Sequence, residues 1–367
     1  MANAFEYKCS SCGGAMEFDS ASQKLICPYC GAVHDAAEYD AMQQQEQSAA
    51  AGMAGGQSST QGSNNWSMQQ DQWNVNEEGL YSYVCESCGG EIVGDENTAA
   101  TSCPYCDSPI IRNSQFSGSL KPDYIIPFKL DKKAAKAKLN NFVSGKKLVP
   151  RVFKDQKHIE EIKGVYVPFW VFDADVYAQV QYDATREQAS GNQIEEGHFD
   201  VFRGGNLSFR GIPVDASSKM EDELMDSIAP FNNNEAVAFT PAYLAGYMAD
   251  KYDVSREESF LRVDEMLKNS VSEAMAGTVQ GFHSVQAVAT NVNLLQGNVS
   301  YALYPVWILN TKWQGKQYRF AMNGQTGKFV GDLPYDKGAY KRQLFMFAGI
   351  IAAVIFVVLF LAWLIFR

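Results

Sequence analysis

Eight cysteines in two identical frames constrain this chain more than any other feature. Cys9, Cys12, Cys27 and Cys30 lie in CSSCGGAMEFDSASQKLICPYC, and Cys85, Cys88, Cys103 and Cys106 lie in CESCGGEIVGDENTAATSCPYC, 76 residues further on. The frame C-x2-C-x14-C-x2-C occurs twice and uses every cysteine. Zinc takes thiolates in a tetrahedron at roughly 2.3 Å, and a two-residue spacer lets one tight turn offer two of them. The second pair of each frame must return on a hairpin. Gly13, Gly31 and Gly89 follow three of the pairs, where a turn that aims N–H groups at sulfur calls for positive φ. Asp107 stands at the fourth such place, and aspartate is among the few other residues that tolerate left-handed backbone. The expectation is two zinc ions per chain.

Two other readings of the cysteines are weaker. CPYC also occurs at thiol-redox sites, where it opens a helix inside a βαβ unit; no such unit surrounds either copy, and CxxCGG precedes both. Disulfides belong to exported chains, and MANAFEYKCS lacks the apolar run of a signal peptide, so the N-terminal body is expected in the cytoplasm. Each module is too small for a core of its own, and metal binding supplies most of its folding free energy, of order 10 kcal/mol. Four thiolates leave no open position for water, which points to structural rather than Lewis-acid zinc. With four cysteines present, His34 reads as a surface residue. His158, His198 and His283 are scattered, with no HExxH spacing, and read as structural or exposed.

The remaining texture divides the chain into an expected first ribbon over 1–38, a flexible Gln/Gly/Ser-rich linker over 39–79, a second ribbon over 80–115 and a mixed domain over 120–335. The linker composition cannot build a core; Trp66 and Trp73 stand out in it. In the mixed domain, DYIIPFKL and GVYVPFWVFDADVYAQVQY read as strands and KKAAKAKLNNFV as a helix. AVAFTPAYL, SREESFLRVDEMLKNSVSEAMAG and the segment beginning VSYALYPVW repeat that order, with YVPFW echoed by LYPVW, which raises an internal duplication. NGQTGK has a hairpin turn at Asn323, Gly324, Thr326 and Gly327 rather than Walker spacing.

Leu344 to Phe366 is a run of 23 residues without a charge, about 34 Å as a helix, enough to cross a bilayer core of roughly 30 Å. Lys337, Lys341 and Arg342 precede it, which favours a cytoplasmic N-terminal side, and Arg367 follows it. A span so placed makes a tail-anchored protein. Ala348, Gly349, Ala352 and Ala353 have the small-xxx-small spacing that permits helix pairing and hence a homo-oligomer. The fold class expected is therefore α+β multidomain: two small rubredoxin-like zinc ribbons, a mixed α+β middle domain and one C-terminal transmembrane helix.

Function is less determined by the residues. Asp173, Asp175, Glu195, Glu196, Glu221, Asp222 and Glu223 show no acid/base pairing, GxSxG is absent, and no cysteine is left over as a nucleophile. The formal charge is −11, and eight thiolates holding two zinc ions take it to about −15, a poor charge for gripping phosphate. Only Lys8 and Lys24 flank the first ribbon. A membrane-held nucleic-acid-binding regulator is thus the second reading, and a non-enzymatic adaptor the first. Two ribbons on one polar tether would raise the effective concentration of a protein partner or bridge two subunits.

The paired CxxCGG…CPYC frames, YIIPF, GVYVPFW, YPVW, NGQTGK…GDLP and the apolar C-terminal run together resemble a bacterial family of TFIIB-type zinc-ribbon membrane proteins, the YdjG-like group, some members of which carry a primosomal-helicase label. That label does not suit a chain with no Walker motif. The resemblance implies a place in a membrane complex with SPFH-type (flotillin-like) and PspA-like proteins in envelope stress.

Overall fold

The computed structural model describes residues 7–39, 59–61, 66–69, 80–95, 102–108, 111–115, 120–146, 148–190 and 193–365. The first ribbon is a three-stranded antiparallel sheet of β1 (Glu17–Asp19), β2 (Lys24–Ile26) and β3 (Val33–Asp35). Two short strands of the polar segment follow, β4 (Ser59–Gln61) and β5 (Trp66–Gln69), and then β6 (Leu80–Val84), β7 (Glu91–Asp95) and β8 (Ile111–Gln115) of the second ribbon. The middle region opens with β9 (Tyr124–Ile125), α1 (Lys132–Val143), β10 (Lys163–Ser190) and β11 (Gln193–Asp215). It continues through α2 (Asp222–Ile228), β12 (Val237–Ala238), β13 (Met248–Asp250), α3 (Arg256–Ala276), β14 (Ser284–Trp313), β15 (Lys316–Asn323) and β16 (Phe329–Gly331). The last element is α4 (Lys337–Ile365).

Local sequence explains the long elements. Along β10, Ala174, Val176, Ala178, Val180, Tyr182 and Ala184 are buried, the period-two pattern of a strand with one covered face. The cover is α3. Ser255 and Glu258 close a capping box at its start, and Ser259, Val263, Leu267, Val271 and Met275 recur every fourth residue as its buried stripe. The Tyr182 hydroxyl donates to the Ser272 carbonyl at 2.8 Å and ties helix to sheet.

The two halves of the middle region follow the same course. β10 and β14 pair antiparallel with Tyr166 opposite Pro305 and Pro168 opposite Leu303, a register that maps onto itself when YVPFW and LYPVW are exchanged. β9 lies parallel to β14 and β13 lies parallel to β10. The Trp170 Nε1–H donates to Val254 O at 2.9 Å, and the Trp307 Nε1–H donates to Leu130 O at 3.0 Å. Ala216 N–H meets Pro168 O at 3.0 Å, as Gly324 N–H meets Pro305 O at 2.8 Å. Asp131 and Ser255 cap α1 and α3 at corresponding places. After β15, Asn323 accepts the N–H groups of Gln325 and Thr326, so NGQTGK is a side-chain-closed turn.

A single large sheet runs β12-β9-β14-β10-β13-β7-β6-β8, with β11 on β10 and β15 on β14. The second ribbon thus continues the sheet of the middle region through β7 on β13. From the polar segment, β5 pairs parallel with β14 at Gly297 and Asn298. Trp66 stacks on Phe260 at 5.7 Å and meets Phe172 edge-on at 5.3 Å. Trp73 lies outside the described residues. An 18-residue window within Lys337–Leu359 of α4 has mean hydropathy 2.3 and none of it is buried, so this helix is long and apolar enough to cross a membrane.

Candidate metal centres

Each cysteine frame folds into two tight loops facing one another across a hairpin. In the first, Cys9 and Cys12 precede β1, and Cys27 and Cys30 connect β2 to β3; in the second, Cys85 and Cys88 connect β6 to β7, and Cys103 and Cys106 precede β8. Every loop closes with the same bond, from the N–H four residues on to the first cysteine's carbonyl: Gly13 to Cys9 and Gly89 to Cys85 at 2.8 Å, Gly31 to Cys27 at 2.9 Å, Asp107 to Cys103 at 3.0 Å. The φ values there are 73°, 69°, 75° and 60°, so Asp107 does occupy left-handed backbone. Its carboxylate explains the exception to glycine: it takes the Lys163 ammonium of β10 at 2.9 Å.

In each group the four Sγ atoms lie within 4.8 Å of one another. Closest approaches are 3.4 Å for Cys9–Cys30, 3.5 Å for Cys12–Cys27, 3.5 Å for Cys85–Cys106 and 3.6 Å for Cys88–Cys103. Disulfide sulfurs sit at about 2.05 Å, whereas the edge of a zinc–thiolate tetrahedron is about 3.8 Å. The all-sulfur donor sets therefore fit a tetrahedral soft-metal ion, zinc being compatible. The thiols split: against the Ala32 N–H, neighbouring Cys9 and Cys12 push Cys30 up to about 12, and burial raises Cys103, whereas the Ser11 N–H leads in drawing Cys9 down to about 6, against burial. Burial opposes the same change at Cys106, but the Ser108 hydroxyl and N–H prevail and take it to about 6.

The two centres sit differently on the body. Ribbon one leans on it through Phe18, whose N–H reaches Ala245 O at 3.1 Å and whose ring meets Tyr243 at 5.1 Å, and through Gln23, which donates to Phe128 O at 2.7 Å. Its CPYC loop faces outward, with Tyr29 76% exposed. Ribbon two turns the corresponding loop inward, and Tyr105 is 2% exposed. Asn310 donates to Pro104 O at 2.5 Å, and Gln317 and Arg319 donate to Tyr105 O at 2.7 and 3.0 Å. Lys163 adds bonds to Ser102 Oγ and Cys103 O. The ribbons are not two equivalent heads on a tether, because one of them is built into the sheet.

His34, expected at the surface, is half-buried beside Tyr39, with ring centroids 5.0 Å apart. His198 and His283 are exposed and lie 3.5 and 3.6 Å from Asp183 and Glu187. The side chain of His158 lies outside the described residues. Asp173 and Asp175 serve the strand edge, accepting Gly211 N–H, and Ser208 and Arg210, respectively. Sequence reasoning missed Asp215 and Asp250, which end β11 and β13 at 5% and 2% exposure. Burial, and then the nearness of Asp250, lifts Asp215 to about 8, and burial lifts Asp250 to about 7. The only signal available was position: VDASSK leaves its strand where MNGQTGK leaves the other.

No family model matches the chain, and no solved structure matches it. It is similar to the uncharacterized protein YdjG of Bacillus subtilis strain 168, with 33% identity over 312 residues, covering 71% of this chain and 92% of the relative.

Proposed function

We propose that this chain, which belongs to the family of YdjG, is a non-enzymatic membrane-held adaptor whose first zinc ribbon docks a protein partner. The observation that carries the reading is the contrast between Tyr29 and Tyr105. One loop type occurs twice; in ribbon two it is a docking surface, presenting the carbonyls of Pro104 and Tyr105 to amide and guanidinium donors and inserting the tyrosine ring. Ribbon one holds the same loop outward, where Pro28, Tyr29 and Cys30 are all exposed. A tyrosine at the centre of a rigid metal-fixed loop is a good anchor, since little side-chain entropy is lost on binding. The matching partner surface is an apolar slot rimmed by Asn, Gln or Arg donors.

The anchor is α4, whose apolar window has no buried residue, and Lys337, Lys341 and Arg342 at its start favour a cytoplasmic body. Zinc has a structural task in both ribbons. SPFH-type and PspA-like proteins are the partners to look for. The test is affinity capture of zinc-loaded full-length chain from detergent-solubilised membranes, comparing wild type with Tyr29→Ala. Recovery of such a partner by wild type, lost in Tyr29→Ala with both zinc ions retained, supports the adaptor. Equal recovery by both proteins, or recovery of nucleic acid that survives nuclease controls, overturns it.

A further inference from the structure

Asp215 ends β11 where Asn323 ends β15, opposite Phe169 and Val306 respectively, and the residues that follow, Ala216 and Gly324, donate alike to Pro168 and Pro305. Asn323 is wholly buried and fully used. Its Oδ1 accepts two N–H groups at 2.9 Å, and its Nδ2 donates to Ile228 O and Pro230 O at 3.1 and 3.2 Å. Asp215 is 5% exposed and uses one oxygen, Oδ1, which accepts the Ser217 N–H at 3.2 Å. Its Oδ2, standing where the other half has an amide donor, is buried with no hydrogen-bond partner. An orphaned buried carboxylate oxygen is costly, and such atoms are rare unless something else completes them.

The setting adds negative charge. The Ser217 hydroxyl bonds Asp250 Oδ2, so a second buried carboxyl stands behind the first. Asp215 and Ser217 line an open cleft of about 920 Å³ between α2 and α3, whose walls also carry Glu221, Asp222, Glu223, Glu258 and Glu265. Nearby cations are engaged by other acids. Arg262 pairs with Asp222 at 2.7 Å and Asp226 at 2.9 Å, Lys219 lies 3.8 Å from Asp253, and Lys251 pairs with Glu91 at 3.0 Å.

We propose that this cleft binds a divalent cation of the Mg²⁺, Mn²⁺ or Ca²⁺ class, with Asp215 Oδ2 as the anchoring ligand. The donors are carboxylates and a hydroxyl, all hard oxygens, which suit these ions and not the soft ion of the cysteine centres. Oδ2 is buried, so a bulky ammonium or guanidinium head cannot seat on it; an ion bound there would shed its water on the inner side and keep water on the outer, where the rim acids lie. Burial raises the pKa of both acids, and at Asp215 the charge of Asp250 adds to the rise, which Arg262 on the cleft wall offsets only in part.

The experiment uses zinc-loaded full-length chain in lipid nanodiscs and counts bound Mn²⁺ by electron paramagnetic resonance. The expected result is one tightly held Mn²⁺ per wild-type chain, displaced by Mg²⁺ or Ca²⁺. Asp215→Asn, the residue the other half already carries at this place, should weaken binding at least about tenfold. Asp264→Asn, outside the cleft and paired with Lys268, should keep it. No saturable Mn²⁺ on the wild type overturns the site whatever the variants do, and so does unchanged affinity in Asp215→Asn, which would leave only diffuse attraction to the acidic rim.

Discussion

Tyr29 and Tyr105 hold the same place in two copies of one loop, yet only Tyr105 is packed against the body. Replacing Tyr105 with alanine should lower the stability of the chain by about 3–5 kcal/mol, the usual cost of deleting a buried aromatic ring. Tyr29→Ala should change it by less than about 0.5 kcal/mol; thermal unfolding of both variants, zinc-loaded, compares them. A second residue-scale expectation concerns pH. Asp215, at about 8, and Asp250, at about 7, hold protons in the folded chain that ordinary carboxylates release near pH 4 on unfolding. The folded state therefore binds more protons across that interval, and stability falls as pH rises until both groups have ionised. Between pH 6.5 and 9, in buffer without added divalent cation, wild type should lose on the order of 3 kcal/mol. Asp215→Asn should show a shallower slope. A flat wild-type profile would mean that both acids ionise at ordinary pH despite their burial.

At the scale of elements, the two cysteine groups are alike in geometry, but the ribbons that carry them matter unequally to the rest. Cys103→Ser with Cys106→Ser removes the loop that receives Asn310, Gln317 and Arg319, and with it the support of β7 on β13. Faster amide exchange should spread from β6 and β7 into β13 and β15. Cys27→Ser with Cys30→Ser should unfold β1 to β3 and loosen the contact at Tyr243 and Ala245, leaving exchange along β10 and β14 close to wild type. If β10 and β14 open as readily in this second variant, ribbon one is part of the core rather than an attachment to it. β5 is held by close approach. A Cβ at Gly297 would lie 2.1 Å from the Trp66 ring, so Gly297→Ala should displace β5 and speed exchange at residues 66–69 without disturbing the β10–β14 pairing.

For the whole molecule, the exposed apolar face of α4 sets the expectation. Ending the chain before Leu344 should move it from the alkaline-washed membrane fraction to the soluble fraction, since among the described residues nothing buries the apolar window of this helix. Protease added outside intact spheroplasts should spare both ribbons. Cleavage within them would reverse the orientation read from Lys337, Lys341 and Arg342.

What the sequence determined by itself is local in origin. Cysteine spacing and the positive-φ positions after each pair define the metal loops, because a tight turn involves only its own few residues; the apolar run of α4 and the capping box of α3 are legible for the same reason. Tertiary structure alone decided the rest. Nothing in two CPYC strings tells which tyrosine will be buried, since that depends on Asn310, Gln317 and Arg319, more than 200 residues away from Tyr105 in the chain. Asp215 reads in sequence as one acid among 42 Asp and Glu residues. It becomes singular only when β11 returns onto β10 as β15 returns onto β14, giving it the place that Asn323 holds in the other half, where burial removes the water that would otherwise satisfy its second oxygen.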